Sequence, residues 1–214
     1  MRKVITLNGL DKSGKSTQSN KIKDHYKFVH IVGKISRYET WPNLKDSDLF
    51  RWWFIDGKTE DVIDTLYKNL NMRNDEIKAL DYPLIIVNRS NLMFDAVSIA
   101  TTAVREKCPI QKSKKITEKI RGRYNLENIS DIDIFYYHGI DLLNMIKKSS
   151  IRTKDSVNFS DEHNKIYSRY QMILANLLLN QIGVGDYKVI EAQGDEEEVF
   201  NYTIDIINKS MIHD

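Results

Sequence analysis

The chain has 214 residues, 41% hydrophobic and 29% charged, enough apolar material for a core and too much for a disordered chain. Its 32 Lys and Arg against 30 Asp and Glu leave a net charge of +2, without the bulk positive charge of a general nucleic-acid binder, so no nucleic-acid partner is expected. A single cysteine, Cys108, excludes an intramolecular disulfide and a cysteine-based zinc cluster and suits a reducing compartment. No apolar stretch approaches the roughly 18 residues that span a bilayer. A strand pattern beginning at Val4 leaves no room for a signal peptide, and a cytoplasmic protein without a membrane partner is expected.

Val4-Ile5-Thr6-Leu7 is a short β-favouring run, followed by a glycine-punctuated stretch and a polar helix from about Lys15 to Tyr26. Phe28 to Val32 reads as a second strand, which makes the helix a right-handed βαβ crossover and the strands parallel. Periodicity is poor between Gly33 and Lys58. There Trp41-Pro42 marks a break, and Leu49, Phe50, Trp52, Trp53 and Phe54 form an aromatic cluster that suits core or a buried helix face, or else a dimer surface or acceptor pocket. Thr59 opens a long helix with Glu60 and Asp61 at the positive end of its dipole. Leu84-Ile85-Ile86-Val87 is the continuous apolar run of a strand buried on both faces. A helix over 91–106 precedes the most basic stretch, 107–131, which suits a solvated helix and loop or a polyanion contact. Ile132 to Tyr137 is a fourth strand, Ile140 to about Lys148 a short helix, and 149–160 a polar, partly basic connection. Asp161 starts a strong helix through Tyr167, Tyr170, Ile173, Leu174, Leu177 and Leu178. Tyr187 to Ala192 is the fifth strand, and Asp195 caps a last helix running to about Lys209. Strands and helices that alternate throughout predict one doubly wound α/β domain over residues 1–214.

Gly9-Leu10-Asp11-Lys12-Ser13-Gly14-Lys15-Ser16 matches the phosphate-loop pattern G-x-x-x-x-G-K-[ST] in full, after a strand and opening a helix. Gly9 and Gly14 permit the turn that aims backbone N–H groups, that of Ser13 among them, at phosphate oxygens, and the helix N-terminus adds to that anion site. Lys15 is placed to reach the β- and γ-phosphates of ATP, and the Ser16 hydroxyl to ligate Mg²⁺. A GTPase would show Asn-Lys-x-Asp after a central strand, and the sequence has none. An ATPase usually ends an apolar strand in Asp, where this chain has Asn88-Arg89-Ser90. Those features favour a phosphoryl-transfer enzyme that closes over a small acceptor.

The phosphate loop, extended through Thr17-Gln18, resembles that of thymidylate kinases, including the acidic residue two positions after the first glycine. Val87-Asn88-Arg89-Ser90 falls where those enzymes carry Asp-Arg-Tyr or Asp-Arg-His. Ile134-Phe135-Tyr136-Tyr137, then Asn164, Tyr167 and Tyr170, then Tyr187 to Gly194 follow the family's order over nearly the whole chain. The resemblance implies a three-layer P-loop sandwich, a five-stranded parallel sheet flanked by helices, with a lid near 149–160. It implies transfer of the ATP γ-phosphoryl, with Mg²⁺, to a nucleoside 5′-monophosphate, and a homodimer. Carried over residue by residue, Asp11 holds the acceptor sugar hydroxyl, Arg89 bridges donor and acceptor phosphates, and Gln193 lies on the adenine side. Arg37, after the second strand, is a candidate acceptor-phosphate clamp or a plain loop arginine. Lys12, Arg89 and Arg152 are three candidates for meeting transition-state charge, with Arg89 ranked first because the sheet anchors it.

Several positions depart from the family. Asn88 replaces its aspartate, and Ser90, Met93 and Val97 differ from the aromatic, serine and tyrosine usual there. The long helix normally carries a base-stacking Phe and, four residues on, an Arg that reads a base carbonyl. Arg73 fits the second position, but Asn69 stands at the first, and Tyr67 is either a substitute stacker or a half-buried helix tyrosine. Asn88-Arg89-Ser90 is also similar to the Glu-Arg-Ser of deoxynucleoside kinases, which phosphorylate a nucleoside 5′-hydroxyl and need a carboxylate base after the second strand, where Glu39 is the nearest. A third reading is a kinase-like domain that binds nucleotide without catalysis.

Overall fold

Apolar residues on successive strand positions enter opposite layers, and that alternation organises the whole molecule. The computed structural model describes residues 2–137, 161–183, 187–192 and 194–212. The expected helix at 140–148, the expected lid at 149–160 with Arg152, and Gln193 lie outside the described residues. Five parallel strands, β1 (Lys3–Asn8), β2 (Val29–Val32), β3 (Leu84–Asn88), β4 (Ile132–Tyr137) and β5 (Lys188–Glu191), form one sheet in the order β2-β3-β1-β4-β5. Seven α-helices flank it among the described residues: α1 (Lys15–His25), α2 (Asp46–Arg51), α3 (Thr59–Ala79), α4 (Asn91–Arg105), α5 (Ile110–Arg121), α6 (Asp161–Ile182) and α7 (Glu196–Ile212). None of the described helices is long and apolar enough to cross a membrane.

One face of the sheet sends Ile5, Leu7, Ile86, Ile134 and Tyr136 against Ile22 of α1 and Val199, Ile204 and Ile207 of α7. The other sends Val4, Ile85 and Val87 against Ile77 of α3. Beyond that layer α3, α4 and α6 join through Leu66, Leu70, Ala96, Ala100, Leu174 and Leu178. Ile85 and Ile86, adjacent in sequence and on opposite faces, are both 0% exposed, so the strand at Leu84–Val87 is buried on both sides. Each such side chain contributes roughly 1.5–3 kcal/mol of burial. This is the three-layer arrangement expected.

The segment of poor periodicity has its own architecture. A 3₁₀ turn at Ile35–Arg37 leads to α2, which runs directly into a π-helical turn at Trp52–Asp56. Gly57 closes that turn: its N–H donates to the Trp52 carbonyl at 3.2 Å, and a Cβ there would lie 2.6 Å from the same oxygen. Arg105 of α4 donates to the Trp52 and Trp53 carbonyls, while the Trp53 indole N–H donates to Thr101 Oγ1 at 3.2 Å. Trp41 stacks on Trp53 with centroids 5.5 Å apart. The tryptophans of the aromatic cluster therefore pack on α4, half-buried, while Phe50 is buried and Phe54 meets Tyr167 and Tyr170 of α6. In the basic stretch, α5 buries Ser113, Thr117 and Ile120 and leaves its lysines in solvent.

Candidate active site

The register of the sheet decides what meets what at its carboxyl edge. Leu7 of β1 pairs with Asn88 of β3 and Asn8 with Phe135 of β4, so the phosphate loop and the turn after β3 emerge side by side. Gly9 has φ 139°, and a Cβ there would fall 2.6 Å from Ser13 Oγ and 2.9 Å from the Tyr136 carbonyl, so only glycine lets the loop fold this tightly. Gly14, at φ 84°, faces open space with nothing within 4 Å of a Cβ position. Lys15 is buried, and its ammonium donates to the carbonyls of Gly9 (2.9 Å) and Leu10 (2.5 Å) and to Ser13 Oγ (3.0 Å). Burial, and then the charge of Arg89, push its pKa down to about 7, against an opposing pull from Asp11. Ser16 and Thr17 are exposed on the first turn of α1, and Lys12 is exposed at φ 64°.

Arg89 sits at φ 71°, a left-handed backbone that costs a non-glycine residue about 1–2 kcal/mol. The turn is short because β3 ends at Asn88 and α4 starts at Asn91, with Ser90 as its N-cap accepting from the Met93 N–H at 3.2 Å. From this turn the Arg89 guanidinium reaches Asp11 in a half-buried ion pair. Burial opposes the Arg89 charge, but Asp11, with Tyr170 and Tyr167, holds its pKa above the ordinary value. The Asp11 carboxylate also accepts from the Tyr167 hydroxyl and from Gln171 Nε2 at 3.4 Å. Gln171 is fully buried and its Oε1 has no partner among the described residues.

Tyr167 and Gln171 were assigned no role from sequence, although a signal exists. Tyr167, Gln171, Leu174 and Leu178 share one helical stripe, and Gln171 is the polar residue on that otherwise apolar or aromatic face. A buried amide in such a stripe marks a site or a network.

The remaining candidates stand around this crevice. Arg73 is 1% exposed, its guanidinium donating to the carbonyls of Arg89 (2.8 Å) and Asn88 (3.4 Å) and to Asn91 Oδ1 (3.2 Å). Asn69 is 0% exposed and bonds Thr40 and the Thr65 carbonyl. Tyr67 is 1% exposed, its hydroxyl donating to Asp95 at 3.0 Å, and burial raises its pKa. Arg37 is exposed and pairs with Glu76, which also accepts from Tyr38. Thus Lys15, Asp11 and Arg89 are brought together, Arg73 lies beneath them, and Tyr67 and Asn69 are fully inside the α3 layer.

Mg²⁺ and a nucleotide fit this loop. The open side at Gly14 and the Lys15 ammonium within the loop suit a phosphate chain. Ser16 offers its hydroxyl at the helix N-terminus, where it would hold Mg²⁺ brought with the nucleotide. Asn88 is neutral and engaged with Ser19 Oγ at 3.1 Å. Among the described residues no group of three or more His, Cys, Asp or Glu is arranged to hold a metal without the nucleotide.

No protein-family model and no curated protein matches the chain. Among solved structures it resembles thymidylate kinase from Candida albicans at TM-score 0.70 and 15% identity, over 100% of this chain and 94% of that one. It also resembles deoxyadenosine kinase from M. mycoides with bound dATP, at TM-score 0.65 and 16% identity, over 97% of this chain and 100% of that one. The same enzyme with dCMP and dCDP bound gives TM-score 0.63 at 14% identity, over 97% and 99%. At these identities the likeness establishes the fold: the chain folds as a P-loop nucleoside and nucleotide kinase does.

Proposed function

We propose that the chain transfers the γ-phosphoryl group of ATP, with Mg²⁺, to a nucleoside 5′-monophosphate. The observation that carries the reading is the shared crevice in which the phosphate loop with Lys15 faces Arg89 held on Asp11. Phosphoryl transfer asks a protein mainly to position two phosphates in line and to meet the charge on the moving group. In this reading Gly9, Ser13, Gly14, Lys15, Ser16 and Thr17 hold the triphosphate and Gln193 lies by the adenine. Ser16 would hold Mg²⁺ through its hydroxyl, and the ion when bound would supply charge against that developing on the moving group. Arg89, anchored at the sheet edge, spans donor and acceptor, Lys12 adds charge from the loop, and Arg152 adds it from 149–160. Asp11 receives the acceptor sugar hydroxyl in exchange for the one it takes from Tyr167, Arg37 turns from Glu76 to the acceptor phosphate, and Tyr67 and Asn69 back the wall behind the base. The assembly in this reading is a homodimer.

Phosphorylation of a nucleoside 5′-hydroxyl is the competing reading, and it requires a carboxylate base beside that hydroxyl. Asp11 is taken up by Arg89, and Glu39 is exposed on the loop after β2. A coupled ADP-release assay with nucleosides and 5′-monophosphates of each base tests the assignment. Turnover with monophosphates is the expected result. Turnover with nucleosides alone would replace the acceptor half, and ATP binding without turnover of any acceptor would make the chain a nucleotide-binding module.

A further inference from the structure

We propose that Arg73 is a positioning residue that aims Arg89 into the crevice, a role that deepens the kinase reading and rests on it. The direction in which a side chain leaves the backbone is fixed by the two peptide planes on either side of its Cα, and at Arg89 both planes are pinned. The N–H of the preceding peptide donates to the Leu7 carbonyl at 2.9 Å, and its carbonyl, that of Asn88, accepts from Arg73 Nη1 at 3.4 Å. The N–H of the following peptide, that of Ser90, donates to Asn8 Oδ1 at 2.7 Å, and its carbonyl, that of Arg89, accepts from Arg73 Nη1 at 2.8 Å. Strand β1 and Asn8 supply the N–H half of this clamp. Arg73 supplies the carbonyl half of both planes.

The left-handed turn needs such a clamp, because an arginine at φ 71° has lower-energy backbone conformations to relax into. Arg73 is itself immobilised: its Nη2 donates to Asn91 Oδ1 at 3.2 Å, its guanidinium lies 5.1 Å over the Phe94 ring, and it is 1% exposed. Among the described residues no carboxylate pairs with it, and it is buried beside a second cation. Simple packing of α3 against α4 would be served by an uncharged side chain of the same length. What a guanidinium adds is a fork of donors that reaches Asn91 while its Nη1 serves both carbonyls. Nη1 is spent on the two carbonyls and Nη2 on Asn91, while Nε is buried without a partner among the described residues, so Arg73 acts on the reaction through Arg89.

The test is kinetic and is read on four variants: Arg73→Met, Arg73→Lys, Arg89→Ala and the Arg73→Met/Arg89→Ala double. Arg73→Met should lower kcat by about 10- to 100-fold, the size of effect that misplacing a catalytic group produces. That factor should be the same for acceptors with different bases, with acceptor KM changed less than about 3-fold. Arg73→Lys, which keeps a donor for the carbonyls, should recover part of the loss. In the Arg89→Ala background Arg73→Met should cost nothing further, because residues acting through one group are not additive. A loss that lies in acceptor KM and varies with the base would mean that Arg73 reads the base, and additivity with Arg89→Ala would also overturn the proposal. Should the wild-type protein phosphorylate no acceptor, the kinase reading fails separately. The positioning role is then read from the Arg89 guanidinium NMR signals: exchange faster than wild type in Arg73→Met, and partly restored to slow exchange in Arg73→Lys, supports it, and exchange in Arg73→Met as slow as in the wild type overturns it.

Discussion

Lys15 shows how a residue's surroundings set its chemistry. Its ammonium is folded into the loop that a phosphate chain would occupy, and burial with the charge of Arg89 brings its pKa from 10.5 to about 7. The unfolded chain therefore holds more protons than the folded one between those values, and this residue's share of stability rises with pH across that window and is lost below it. Phosphate oxygens reverse the shift by pairing with the ammonium, so nucleotide binding above pH 7 takes up a proton. Calorimetry of ADP binding at pH 8 in buffers of different ionisation enthalpy should show proton uptake, absent in Lys15→Met. Asp11 makes a second prediction. A carboxylate that accepts a sugar hydroxyl contributes about 1–3 kcal/mol only when the acceptor is bound, so Asp11→Asn should raise acceptor KM roughly 5- to 150-fold and leave ATP affinity nearly unchanged. Initial rates at varied acceptor and varied ATP separate the two, and a change confined to ATP would remove Asp11 from the acceptor side.

Elements carry these residues to their places, and α4 is the informative one. Its first turn is capped by Ser90 Oγ, and the Ser90 N–H is held by Asn8, so the start of the helix is tied to the end of β1. Ser90→Ala should destabilise the fold by about 1 kcal/mol and lower Tm by roughly 2–4 °C, measured by thermal unfolding. A shift near zero would mean that the cap is replaced by water. The strands and most helices were legible because period and punctuation agree: Leu84–Val87 reads as a buried strand, and Thr59 with Glu60 and Asp61 as the start of a long helix. The segment 33–58 was not legible, because its order comes from Gly57 closing on Trp52, Arg105 capping from α4, and Trp53 bonding Thr101. Those are contacts across 5 to more than 50 positions, and no local pattern encodes them.

The whole molecule brings three separated segments to one edge: the phosphate loop, the turn after β3 and the face of α6 with Tyr167 and Gln171. Ligand binding at that edge should be read by the entire fold. Mg·ATP at about 100 times its Kd should stabilise the native state by about 2.7 kcal/mol through mass action, seen as a higher Tm. Lys15→Met should lose that increment while unfolding as cooperatively as the wild type. An equal increment in the variant would place the nucleotide elsewhere. Tyr167 and Gln171 reach Asp11 from α6, so exchange protection at the start of α6 should rise with acceptor as well as with ATP.

The phosphate loop, the βαβ start and the alternation of strands and helices were determined by sequence alone, because each is a local pattern with a local physical cause: glycine backbone freedom, period and capping. The same holds for the proposal that Lys15 meets a triphosphate, which rests on the complete G-x-x-x-x-G-K-[ST] motif. Tertiary structure decided the rest. The order β2-β3-β1-β4-β5 sets Arg89 beside Asp11, which stands 78 positions away, and brings Tyr167 to the same carboxylate from 156 positions away. It also set Arg73, which the family resemblance makes a base-reading arginine, beneath Arg89, where its donors meet the Asn88 and Arg89 carbonyls. A helix position states which face a side chain occupies, but only the packed neighbours determine whether its donors find a ligand or a backbone carbonyl.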